Sequence, residues 1–403
     1  MVRQRVLGDG ARRVDFLGCR VSADSEGGYC SSSDIVRNKR GGAFFGLADK
    51  WELHFGHRST LTAQDRDNDA RPFLPAHVCV VSTIPGNGDL NPYGVAFVPS
   101  KFPSGGAVNP GDILVSNFNN KSNAQGTGTT IVRIQGTGPA TVFFQGAPPL
   151  GLSTALNILR AGFTLVGNFP SPDLSGSCTT AQAGSILVID KNGKQVGSIT
   201  DPSIDGPWDS ALFDEGGSAK LFVANGLSGT IVRLDLTVGS SGVTLKKATP
   251  IASGYGHQCD PVTFVDAPTG LVYDQKRDVL FVASTVDNAI FEVSDAGDRS
   301  QDNGTGKIIY QDATHLHGAL AMTMASNGHL LVSNNDAINV DPNQPSEIVE
   351  FTTEGKFVRE ISVDQNTGGS FGLNVSGSDD DTGRFAFVDD NVNALSIWTF
   401  QFP

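Results

Sequence analysis

The sequence predicts an all-β chain folded as a six-bladed β-propeller, and three observations predict it. First, a strand that opens on a small-residue turn is followed by a second strand ending in Asn, Asp or Ser, and this pair recurs six times. The starts lie roughly 48–60 residues apart, the spacing of propeller blades rather than of most solenoid repeats. Second, the chain has 48 glycines and 3 methionines in 403 residues, as many short strands joined by tight turns require. Third, the sixth repeat ends one strand short, while a spare apolar strand, HVCVVSTI at 77–84, lies just before the first repeat.

Alternation and turn chemistry assign the strands in order. Blade 1 reads VAFV, DILVSN, TTIVRI and ATVFFQ; blade 2 reads TALNIL, FTLVGN, GSILVID and KQVGSIT, with Asn192-Gly193 as a two-residue hairpin turn. Blade 3 reads SALFD, KLFVAN, GTIVRLDL and a fourth strand near VTLKKATPI; blade 4 reads GLVYD, VLFVAS, AIFEVS and GKIIYQ. Blade 5 reads ALAMTM, HLLVSN, SEIVEFT and KFVREIS, with Glu354-Gly355 at the turn; blade 6 has only GLNVS, FAFVDD and ALSIWTFQ. An open ring would expose two sheet edges, so 77–84 is expected to supply the outer strand of blade 6 and tie the two ends of the ring together. Truncation past about residue 76 should then unfold the protein, and removal of residues 1–70 should not.

Residues 76–403 therefore form one domain, and residues 1–75 read as foreign to it: a disordered arm, a small appended element, or translation from upstream of the true start. Ten of the 17 arginines lie in that extension, RPFLPAHV reads as a linker, and no signal-peptide apolar core is visible. Residues 1–75 carry a net +2 and residues 76–403 a net −15. An acidic body repels phosphate backbones, which argues against nucleic acid as a partner. No run approaches the ~18 apolar residues of a membrane span. Cys79 alternates with Val78 and Val80 and reads as a buried small hydrophobe.

The recurring pattern G-x-x-x-D … L-x-V-x-N … I-x-x-x-D resembles NHL-repeat propellers and the related SMP-30/gluconolactonase six-bladed group over nearly all of residues 77–403. The resemblance implies a divalent cation held by a Glu of the first blade with Asn and Asp from inner-strand entrances. Of that set, Asp209 matches an acidic entrance position, and the entrance to blade 1 offers Asn91 and Tyr93. This architecture hosts hydrolases, synthases and pure binding modules, so fold alone assigns no activity.

Strand topology puts the long loops 117–129, 168–184, 253–268, 334–346 and 365–371 on one face, and the short turns on the other. A rigid scaffold with its long loops on one face is expected to bind there, at the channel mouth. Two rings of residues should surround that mouth. Asn117, Asn168, Asn225, Ser284, Asn334 and Asp389 end the second strands. They either cap turns or supply oxygen ligands to one divalent cation, Ca²⁺ or Zn²⁺. Tyr93, Ser153, Asp209, Thr269, His317 and Phe371 precede the inner strands. Among these, Asp209 and His317 would act as base and acid across the channel or share a metal; alternatively each is locally satisfied. Tyr93, Trp208 and Phe371 would line the mouth, with His257 and Asp260 overhanging it.

Cys178 and Cys259 fall in loops on the same face, either as two thiols or as a disulfide, which would point to an oxidising compartment. The expected function is an extracytoplasmic, monomeric propeller binding a small molecule or protein partner at the mouth. The alternatives are a metal-dependent hydrolase or lactonase at the same site, and a purely structural interaction scaffold.

Overall fold

The computed structural model describes residues 73–74, 78–376 and 382–401, so the expectations for residues 1–72 lie outside the described residues. Six four-stranded antiparallel sheets follow one another around a ring, each ordered from its inner to its outer strand. The inner strands are Leu90–Phe97, Leu152–Leu159, Pro207–Asp214, Pro268–Asp274, Ala319–Met324 and Ser370–Val375. Each packs against the next and the last packs against the first, which closes the ring. Closure is also by hydrogen bonding, because Cys79–Ser82 pairs with Ala394–Gln401 as the outer strand of blade 6, in register from Cys79↔Ile397 to Ser82↔Ala394. The spare N-terminal strand thus sits where an unpaired edge would otherwise be exposed.

Every inner strand breaks register within its first few residues, between Pro92/Val95, Leu152/Leu156, Pro207/Asp209, Pro268/Leu271, Ala319/Met322 and Ser370/Leu373. A bulge there sharpens the local twist and re-aims side chains toward the axis. Close approach of neighbouring inner strands explains the glycine of SFGLNV: a Cβ on Gly372 would lie 1.6 Å from the Tyr93 carbonyl oxygen. The apolar cores lie between blades, as in the cluster that joins Leu165 and Val188 of blade 2 to Leu221 and Val232 of blade 3.

Three local readings need correction. The turn at Asn192-Gly193 is a three-residue loop: Asp190 N–H donates to Lys194 O, Gly193 N–H donates to Asp190 O, and Gly193 takes φ 79°. A type I turn followed by a left-handed glycine gives this loop one more residue than the two-residue form. Cys79 is half-buried rather than buried, because an outer strand has a packed neighbour on one side only. The linker is in fact an anchor: Phe73 and Leu74 are buried, and the Phe73 ring packs edge-on against Phe385, Trp398 and Phe400.

On the long-loop face the connection from blade 3 to blade 4 folds into a hairpin, Gln258–Asp260 with Phe264–Asp266. It lies over the channel mouth and is bonded through Cys259 to Cys178 in the blade 2 loop, with Cα atoms 5.6 Å apart. The bridge closes 81 residues of chain. In a chain-entropy account a loop of that length contributes about 4.5 kcal/mol. Reduction is therefore expected to cost about 2–4 kcal/mol and to lower the guanidinium midpoint, with a larger m-value because the reduced unfolded chain is more expanded. An unchanged midpoint would mean that the hairpin is held by its packing alone.

Candidate ligand-binding channel

The residues expected to line an open mouth instead fill it. Tyr93 is stacked between Phe118 and Phe371, at ring-centroid distances of 4.6 and 4.4 Å. Trp208 meets Tyr93, Phe118 and Phe169 edge-on and lies near-parallel to Phe264. Trp208, Tyr93, Phe118, Phe169 and Phe264 are all under 2 % exposed. Phe264 reaches the cluster from the disulfide-bonded hairpin, with a left-handed backbone (φ 71°) that a bulky side chain adopts only when its surroundings hold it there. A visible signal was missed: Phe118 and Phe169 directly follow the strand-ending Asn117 and Asn168.

This aromatic plug divides the axis into two cavities that share no lining residue. Above it, on the long-loop face, a pocket of about 390 Å³ has Tyr93 and Phe371 in its floor and Asp260, Asp336 and Asp390 in its walls. Burial, then the charges of Asp389 and Asp364, push the Asp390 carboxyl well up. Burial and Asp364 raise Asp389 to about 7. His257 is exposed, bonds its own loop at Tyr255 O (3.1 Å), and takes no part in this pocket.

Below the plug runs a channel of about 250 Å³ walled by all six inner strands. Tyr273 and Met324 line both this channel and the groove formed by the short turns at 274–277 and 327–329, so it opens on the short-turn face. Asp209 sits at its closed end, directly after Trp208 of the plug. Asp209 is 7 % exposed, and its Oδ1 accepts the Ser210 N–H at 2.7 Å. Burial pushes it up to about 8, with that one hydrogen bond opposing the shift.

The other polar groups of the channel offer oxygen. Asn157 Nδ2 donates to both Ser210 O and Oγ, which leaves its carbonyl oxygen, while Asn374 Nδ2 gives one hydrogen to Val95 O and keeps the other beside its carbonyl oxygen. Thr154 Oγ1, in a residue 6 % exposed, has no hydrogen-bond partner. No Lys, Arg or His lines the channel.

A carboxyl held up by burial has a definite linkage. The folded protein binds the Asp209 proton more tightly than the unfolded chain, whose carboxyl titrates near ~3.9. Its effect on stability is therefore most favourable below that pH and is lost as pH rises toward about 8. Asp209→Asn is expected to gain on the wild type steadily across that window, read as the difference in Tm at successive pH values. A flat difference would show that Asp209 titrates as an ordinary carboxylate.

Asp209 and His317 are not brought together. His317 is buried, with Nδ1 against Asn339 O and Nε2 3.2 Å from Thr314 O, so both ring nitrogens face backbone carbonyls, one in its own loop and one in the long loop after Asn334. Its charged neighbours are Asp336 and Glu347, not Asp209. The proposed acid–base pair across the channel is thereby corrected: each residue is held in a separate environment.

The ring of strand-ending residues is a set of latches. Asn168 Oδ1 accepts the Gly151 N–H, Asn225 Oδ1 the Asp205 N–H, and Asn334 Oδ1 the His317 N–H. Asn117 Nδ2 donates to Thr83 O, Asp389 Oδ1 accepts the Asn391 N–H, and Ser284 Oγ bonds Asp287. Most of these ties run to the loop entering the same blade, which is why the position repeats. None of the six lines the channel or the upper pocket, so the ring does not converge on a cation. Among the described residues no group of three His, Cys, Asp or Glu is placed to hold a metal ion, and no Glu lines the channel or the upper pocket, as the cation site implied by the resemblance would need.

No family model matches the chain, and no curated protein sequence does. Solved structures do. A gluconolactonase from Xanthomonas campestris is 10 % identical, with 80 % of this chain and 90 % of that one covered at a TM-score of 0.50. A luciferin-regenerating enzyme is 12 % identical, with 81 % and 95 % covered at 0.50. Its structural neighbours are SMP-30/gluconolactonase-like six-bladed propellers. They also include a calcium-binding protein, regucalcin, from Agrobacterium tumefaciens, 12 % identical, with 79 % and 95 % covered at 0.45. What the chain shares with them is the six-bladed ring.

Proposed function

We propose that the protein is a small-molecule-binding propeller whose ligand enters the central channel from the short-turn face and ends against Asp209. The observation that carries this reading is a buried carboxyl with one backbone partner at the closed end of a channel, since a buried polar group without full pairing is costly unless something completes it. An extracytoplasmic location fits the Cys178–Cys259 bond. No helix among the described residues is long and apolar enough to cross a membrane.

Thermal-shift screening of a small-molecule library tests the reading. Hits should raise Tm for the wild type and fail on Met322→Trp, a bulkier side chain at a position that lines the channel, with the fold of the variant checked by circular dichroism. Hits that survive Met322→Trp and disappear on Asp336→Asn would move the site to the long-loop pocket.

A metal-dependent hydrolase of the gluconolactonase kind is the second reading, favoured by Asp209 itself, an acidic residue at an inner-strand entrance. The separation of Asp209 from His317 weighs against it. Lactone hydrolysis dependent on added divalent cation and abolished by Asp209→Asn would establish it.

A further inference from the structure

Resting on the channel reading above, we propose that the ligand is a small unbranched primary amine whose ammonium group seats between the Asp209 carboxyl and Thr154 Oγ1. The argument is one of donor and acceptor balance. Ionised Asp209 and the Asn157 carbonyl are acceptors only, the Thr154 hydroxyl and the Asn374 amide can accept as well, and the Asn157 NH₂ is already donated elsewhere. A ligand rich in donors suits this acceptor-rich lining, and an ammonium brings three and accepts none.

Charge leads the same way. The channel has no cation of its own, and Asp209 meets no Lys, Arg or His, so its ionised form has no counter-ion until a ligand supplies one. Burial without a counter-ion is what holds the carboxyl protonated, and an arriving ammonium reverses that balance. Binding then proceeds with loss of the Asp209 proton to solvent, leaving an ammonium–carboxylate pair at the closed end.

Size restricts the ligand further. A channel of about 250 Å³ lies below the usual range for drug-sized ligands. Leu156, Leu271 and Leu373 line it beside the polar groups, which suits a short alkyl chain behind the ammonium. The plug of Trp208 and Tyr93 closes the far end, so the charged group must enter first and the chain must trail toward the short turns.

Titration calorimetry with n-butylamine, n-butanol and tetramethylammonium on the full chain tests the proposal. Butylamine is expected to bind at one site, at least tenfold tighter than butanol, and tetramethylammonium is expected to be excluded. Repeating the titration in buffers of different ionisation enthalpy should show release approaching ~1 proton per amine below pH 8. Asp209→Asn should weaken butylamine at least tenfold and abolish the proton release. Thr154→Val, which keeps the shape of the side chain, should weaken it several-fold, with the fold of both variants checked by circular dichroism and Tm.

Equal affinity for butanol and butylamine, or undiminished amine binding to Asp209→Asn, would overturn the amine assignment. If Met322→Trp still abolished binding in those cases, the channel reading would stand while its ligand class fell. Amine binding that persisted in Met322→Trp would defeat both.

Discussion

Trp208→Ala is expected to cost about 3–5 kcal/mol of stability, the range for removing a large aromatic from a packed core. Trp208 is 1 % exposed and touches four other aromatic rings: Tyr93 and Phe118 from blade 1, Phe169 from blade 2 and Phe264 from the hairpin. Deleting it leaves a cavity that those rings cannot close, because each is fixed by its own strand or by the Cys178–Cys259 bridge. The cavity would also join the channel below to the pocket above, turning a closed end into an open passage. Equilibrium guanidinium unfolding measures the first effect. A loss under about 1 kcal/mol would show that the plug is loosely packed. The second is read in ligand binding: compounds too long for the closed channel should bind the variant and not the wild type.

Glu350→Ala should be comparably damaging, about 3–5 kcal/mol, because it leaves several buried hydrogen-bond donors unpaired at roughly 1–3 kcal/mol each. The Glu350 side chain is 0 % exposed. It accepts Phe73 N–H at 3.0 and 2.8 Å, Leu74 N–H at 3.3 Å, Asn327 Nδ2 at 3.3 Å, and meets His329 Nδ1 at 2.6 Å. It thus pins the chain entering the ring to blade 5, while Phe73 itself packs against blade 6. A chain beginning after Leu74 should lose much of the same stability. The truncation and Glu350→Ala should be strongly non-additive, since they break the same bonds from two sides. Additive losses would mean that Glu350 serves His329 and Asn327 and not the entering chain.

Glu350 also marks where the sequence stops being informative. Its blade position was readable from SEIVEFT, but its partners lie 277 and 276 residues away in a stretch that reads as a linker. Nothing local announces a carboxylate that bonds a distant backbone. The strand-ending Asn residues behave in the opposite way. Their recurrence was plain and their capping role followed from the chemistry of Asn at strand ends, as Asn225 and Asn334 show. What repetition alone did not separate was a ring of caps from a ring of ligands, since both need oxygen at equivalent positions.

The functional residues divide along the same line. Asp209 stood out because a carboxyl next to Pro207-Trp208 is not demanded by the repeat, and it does lie in the channel. His317 stood out for the same reason and lies in a separate, fully bonded environment. Tyr93, Trp208 and Phe371 lie together in the aromatic cluster that plugs the axis. Whether aromatic rings at a mouth leave it open or fill it depends on their packing against Phe118, Phe169 and Phe264, which come from other blades and from an inserted hairpin.

By itself the sequence determined the blade count, the strand order, the closure by residues 77–84 and the face that carries the long loops. Each of these follows from short-range periodicity and turn chemistry repeated six times, together with the cost of an unpaired sheet edge. Only the tertiary structure decided that the expected mouth is plugged, that the open end of the channel is the short-turn face, and that Asp209 is buried there with a single backbone partner. Those outcomes depend on how side chains from six blades meet on one axis, and close packing between distant segments leaves no periodic trace in the chain.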